Sequence, residues 1–139
     1  MREMQDKTPT TIRGIFDKIL SQLRDELEEA GFVVCGTLIL RTVESRREVI
    51  IVDLPRVSSK ILSLSLQNTV VLPACISVTE NYPGSNEIVI INSTEMLAAG
   101  NHNDPVMYLA METTNEIERL VKKVERIDNT TPDMITSWD

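Results

Sequence analysis

The sequence predicts a single α+β domain with an antiparallel four-stranded sheet made of two hairpins and three main helices, in the order α-β-β-α-β-β-α. Three observations carry this reading. Apolar residues between Ile12 and Ala30 recur at helical spacing. Two pairs of β-branched runs are each joined by a short polar connection, Glu44 to Arg47 and Asn81 to Asn86. Proline marks the exits from the sheet at Pro55 and the helix entry at Pro105. Connections this short suit antiparallel neighbours and exclude the crossovers of a parallel doubly wound sheet.

Taken in order, Thr10 or Thr11 caps a first helix carrying Ile12, Ile15, Phe16, Ile19, Leu23 and Leu27, and Gly31 supplies its left-handed stop. Phe32 to Val43 reads as a strand with Gly36 as a weak point or bulge, and Glu48 to Leu54 as its hairpin partner. Pro55 opens a second helix running to about Leu66, with Asp53 near enough to cap it and Asn68-Thr69 ending it. Its serines weaken the intrinsic preference, so packing of Val57, Ile61 and Leu62 must hold it. Val70 to Thr79 and Glu87 to Asn92 form the second hairpin around Pro83-Gly84. After a short helical turn near Thr94 to Gly100, Asp104 and Pro105 start a long helix striped by Val106, Leu109, Ala110, Ile117, Leu120, Val121, Val124 and Ile127. The organisation is an N-terminal segment 1–10, a domain 11–128 and a polar tail 129–139 with Trp138.

Composition bounds the function. The chain has 139 residues, 42% apolar and 25% charged, which suits one globular domain, and aromatic residues supply only 4%, so the core is aliphatic. No apolar run approaches the length of a membrane span, and Met1 to Lys7 lacks the apolar core of a signal peptide, so the expected location is cytoplasmic, with no membrane partner. The net charge is −7, and Ile61 to Met111 contains no lysine or arginine. A continuous basic face is impossible across that stretch, and nucleic-acid binding is not expected.

Val49-Ile50-Ile51-Val52 and Ile88-Val89-Ile90-Ile91 do not alternate. Strands of this kind are covered on both faces, whereas three helices more naturally cover one. Either a second subunit or the terminal segments fold over the other, and a homodimer is the expected assembly. A lysine at Ile50 or Ile90 would then bury an unpaired charge, if that face is the exposed one.

The order strand, Asp53-Leu54-Pro55, helix, Leu72-Pro73, strand, closed by Val78-Thr79-Glu80 and preceded by Glu29-Ala30-Gly31-Phe32 at the end of the first helix, resembles the domain of unknown function 302 family. The resemblance spans about Thr11 to Ile127 and rests on short motifs. It implies an α+β domain with an antiparallel sheet, related to the TATA-box-binding-protein-like fold without its nucleic-acid role, and pairing as dimers. Where that family often has Leu-Pro-Cys, this chain has Leu72-Pro73-Ala74, and Cys75 follows one position later. Strand alternation aims that thiol at the opposite face from the family position.

Candidate chemistry is sparse. Cys35 and Cys75 are either a redox pair, if their strands are neighbours, or two buried thiols. His102 with Asp104 offers two metal ligands or simply a solvated loop and a helix cap, and no metal is expected. Glu112 and Glu116 lie one turn apart, spaced either for a cation or for a solvated helix face. Arg41, Arg46, Arg47, Arg56 and Lys60 are the basic concentration, able to hold an anionic molecule if the first hairpin tip lies near the second helix. The candidate ligand-binding residues are accordingly Cys75, Arg41, Arg47 and Arg56, with no catalytic residue assigned and no cofactor expected. The function predicted is a non-enzymatic dimeric module binding a small ligand or a protein partner, the alternative being a thiol-dependent redox or sulfur-handling protein acting through Cys75 or Cys35.

Overall fold

In a computed structural model, residues 9–64, 72–98, 105–127 and 129–130 are described. The described elements are β1 (Thr10–Arg13), α1 (Phe16–Glu29), β2 (Val33–Arg41), β3 (Arg46–Asp53), α2 (Pro55–Leu64), β4 (Ala74–Tyr82), β5 (Ser85–Asn92), α3 (Ser93–Ala98) and α4 (Pro105–Glu125). The strands form one antiparallel sheet in the order β1-β5-β4-β3-β2, so the two expected hairpins lie side by side through β3 and β4.

The fifth strand corrects the expected four. Thr10 and Thr11 cap nothing: they begin a short edge strand that pairs antiparallel with the start of β5, Ile12 lying opposite Asn86. Gly14, at φ +142°, breaks the chain between this strand and α1, whose helical residues begin only at Phe16, with Ile15 extended at φ −83°, ψ 124°. Ile12 thus reaches the core from the sheet and not from a helix. Its β-branched side chain suits that position, and the strand is too short to show a period of its own.

The C-terminal stop of α1 is as the glycine predicts. Gly31 adopts φ +96°, its N–H donates to Glu28 O at 3.1 Å, and Phe32 N–H reaches back to Leu27 O at 3.0 Å. This closes the last turn and turns Phe32 into the core. The anticipated irregularity at Gly36 is a bulge: Val34 pairs with Val52 and Gly36 with Ile51, leaving Cys35 as the extra residue. Pro55 and Pro105 each take the first helical position. Asp53 accepts a hydrogen bond from the Ser58 hydroxyl at 3.2 Å, in the first turn of α2. The expected end of α2 at Asn68-Thr69 and the capping role of Asp104 lie outside the described residues.

The helices lie on one side of the sheet. α4 packs on α1, α2, α3 and β5, and its buried stripe runs Ala110, Thr114, Ile117, Val121, Val124. Thr114 fills the gap that the apolar pattern leaves, whereas Ile127 lies beyond the helix and is exposed. Against these helices the sheet presents Ile50, Val52, Ile76, Val78 and Ile88, all buried, with Ile90 partly so. Asn129, expected as the first tail residue, is fully buried, and its carbonyl accepts the Ile15 N–H at 2.8 Å.

Candidate functional site

Side chains alternate along each strand, so the partners of the buried residues define one face and the intervening residues the other. On the face opposite the helices, cross-strand pairing aligns three rows: Ile51, Cys75 and Ile91; Val49, Ser77 and Val89; Arg47, Thr79 and Glu87. β2 extends two of these rows, Leu38 beside Val49 and Leu40 beside Arg47. No described helix covers this face. Leu38 is 51% exposed, Leu40 44%, Val89 37% and Ile91 43%, while Val49, Ile51 and Cys75 between them are half-buried by their neighbours.

The absent alternation in Val49–Val52 and Ile88–Ile91 therefore has a specific outcome. Ile50 and Ile90 face the helices, and Val49, Ile51, Val89 and Ile91 form an apolar surface open to the outside. The surface ends in a polar row, where Arg47 Nε donates to Thr79 Oγ1 at 2.9 Å and Glu87 stands on the far side of the same threonine.

Of the residues singled out by sequence, Cys75 and Arg47 share this face, two rows apart on adjacent strands. The other two do not join them. Arg41 ends β2 beside the hairpin turn, and Arg56 sits in the first turn of α2, ion-paired with Glu112. The whole of β3, Arg46 to Asp53, separates the hairpin tip from α2. Eight extended residues span about 25 Å, so the basic concentration in the sequence is not a single anion site. Arg46 points to the helix side, bonded to Asp17 at 2.7 Å with its guanidinium 4.5 Å from the Phe16 ring centre.

Cys35 and Cys75 lie on β2 and β4, which flank β3. Two strand spacings, roughly 9.5 Å, exceed the reach of a disulfide, so the redox pair within one chain has no geometry to form in this fold. Both are free thiols, but the expected burial of the pair is corrected: Cys35, the extra residue of the β2 bulge, is exposed, and Cys75 on the open face is half-buried.

Glu112 and Glu116 are each engaged by an arginine, Arg56 and Arg119 respectively. The Arg119 guanidinium, hydrogen-bonded to Glu116, holds that carboxyl below its ordinary range against the opposing effect of partial burial. The pair of glutamates is thus part of a solvated, ion-paired helix face. His102 and Asp104 lie outside the described residues, and among the described residues no group of three His, Cys, Asp or Glu side chains is placed to hold a metal. Among those residues, too, no helix is long and apolar enough to cross a membrane.

One cluster had no signal in the sequence as a group. At the end of β5, Asn92 Nδ2 donates to Ala110 O and to Thr114 Oγ1, both at 3.0 Å, Thr114 donates to Glu95 Oε1 at 2.6 Å, and the Glu95 N–H returns to Asn92 Oδ1 at 3.3 Å. Asn92, Glu95 and Thr114 are all buried. Beside them a small recess of about 20 Å³ is lined by Asp53, Ser58, Thr94 and Thr113 among aliphatic residues. Thr94 is spent on the backbone of Leu72, accepting from its N–H at 2.9 Å and donating to its carbonyl at 3.2 Å. These polar groups satisfy one another and lock α3 and α4 to the sheet end. A second groove, about 230 Å³, runs between β5 and α4 past Thr10, Ile88, Glu118 and Lys122.

The sequence matches no protein-family model and no curated protein. Among solved structures, the chain is similar to the crystal structure of an uncharacterized conserved protein, DUF302, from Bacillus stearothermophilus, with a TM-score of 0.67 and 19% identity over 84% of this chain and 96% of that one. At that identity the likeness speaks for architecture alone, and it agrees with the motifs at Asp53-Leu54-Pro55 and Leu72-Pro73. The chain has the fold of domain of unknown function 302.

Proposed function

We propose that this chain is a non-enzymatic, dimeric binding module whose docking surface is the open face of the sheet, and that a second copy of the chain occupies that surface. The observation that carries the reading is the apolar surface of Leu38, Val49, Ile51, Val89 and Ile91 on strands β2, β3 and β5, joined across β4 by Cys75 in one row and by Ser77 in the next, on the side away from the helices. A contiguous apolar surface rimmed by Arg47, Thr79 and Glu87 is the composition of an interface, with an apolar centre and a polar border. Sheets stacked about 10 Å apart bury such faces efficiently, and two-fold pairing does so with one surface.

Sedimentation equilibrium at micromolar concentration tests it. A species of twice the 15.7 kDa chain mass is expected. A species at the chain mass would overturn the dimer, and a small-molecule ligand or another protein would then be sought for the same face by titration.

A further inference from the structure

Given that dimeric reading, we infer that the two-fold axis of the dimer runs along β4, so that β3 of each subunit lies over β5 of the other and Arg47 meets Glu87 of the partner subunit. The inference comes from the cross-strand register. β4 is the middle of the sheet, and its open-face residues are the small Cys75, Ser77 and Thr79. On either side the face is nearly mirror-matched: Ile51 against Ile91, Val49 against Val89, and Arg47 against Glu87. The apolar rows repeat the same side-chain class on both flanks. The third row repeats length but opposes charge.

A two-fold rotation about an axis lying along β4, in the plane between two stacked sheets, exchanges left and right and keeps each row at its own level. Ile51 then packs on Ile91 of the partner subunit and Val49 on Val89 of the partner subunit. The small β4 residues on the axis let the branched flanks approach. Arg47 reaches Glu87 of the partner subunit, and by symmetry the same contact forms a second time. An axis placed along β3 or along β5 gives no such match, since it sets Arg47 over Arg47 or Glu87 over Glu87 at the polar end. The Arg47 side chain is already laid across β4, its Nε on Thr79 Oγ1 at 2.9 Å, on the side from which this contact is made. Like charges facing across an interface weaken it, and opposite charges fix its register.

Charge reversal tests the axis. Arg47→Glu alone and Glu87→Arg alone each set two like-charged contacts in the homodimer, and each is expected to raise the dimer dissociation constant by about tenfold or more. The double variant Arg47→Glu/Glu87→Arg restores both contacts and is expected to dimerise like the unmodified chain. Mixing the two single variants gives the sharper readout. In the mixed dimer every contact pairs opposite charges, so two weakly associating proteins should form a heterodimer, resolved by native mass spectrometry with one variant tagged. Circular dichroism of each variant confirms the fold, and both positions lie away from the core. If the unmodified chain dimerises but the single variants are unaffected, or if mixing restores nothing, the β4 axis is overturned while the dimer stands. If the unmodified chain is a monomer, the dimeric reading fails and the axis with it.

Discussion

The Ile15 backbone N–H donates to the Asn129 carbonyl at 2.8 Å, so the residue that enters α1 is tied to the chain that leaves α4. Gly14 makes room for this. A Cβ at that position would lie 2.6 Å from the Asn129 carbonyl oxygen, and the backbone is held at φ +142°, where a side chain is strained. Asn86 braces the same corner, its amide donating to Ile12 O at 3.2 Å and Gly14 O at 3.0 Å.

Gly14→Ala combines that strain with overpacking against backbone, and roughly 3 kcal/mol of stability should be lost. Urea unfolding followed by circular dichroism checks it. A variant as stable as the unmodified chain would show that this corner rearranges freely.

The buried cluster at the end of β5 gives the second prediction. Thr114→Val keeps the side-chain shape and removes the hydroxyl that accepts from Asn92 and donates to Glu95. Both partners are buried, and about 1–3 kcal/mol should be lost. Equilibrium unfolding of the variant measures it, and a neutral result would mean that the two partners re-pair with each other.

The pH dependence of Glu116 has a definite sign. Its folded value is depressed below 4.5, chiefly by the hydrogen bond from Arg119, so the charged carboxylate stabilises the folded state at pH values above its unfolded value. That contribution is lost as pH falls through the depressed folded value. Glu116→Gln should therefore lower the urea midpoint slightly at about pH 6.5, and the difference from the unmodified chain should shrink as the pH falls through the depressed folded value. A difference that grows on acidification would contradict the assignment.

The legible parts of the fold were those with a period or a punctuation mark. α1 past Phe16 was written by its apolar spacing and closed by Gly31, and both hairpins were written by short polar connections between β-branched runs. β1 was not, because four residues carry no period and Thr10-Thr11 before an apolar run looks like a helix cap. The arginines were misleading for a metric reason: nearness in sequence means separation in space along an extended strand, so Arg41 and Arg56 end at opposite ends of β3. Arg47, Thr79 and Glu87 form a row only once the register is known, and register is a property of pairing that no single segment states.

Register also decides which isoleucines matter for assembly. Ile50 and Ile51 are adjacent and chemically identical, yet Ile50 is fully buried under the helices and Ile51 lies on the open face. Lysine at Ile50 places a charge in the aliphatic core with no partner, costing several kcal/mol and unfolding the chain. Lysine at Ile51 leaves the monomer folded, since its ammonium reaches solvent there, and acts only when the open face is covered. The expected outcome is that Ile50→Lys loses the cooperative unfolding transition, whereas Ile51→Lys keeps it within about 1 kcal/mol and sediments at the 15.7 kDa chain mass. Ile51→Lys that still sediments as a dimer would place the interface elsewhere. Ile51→Lys that unfolds like Ile50→Lys would show that the outer face is packed within the chain itself.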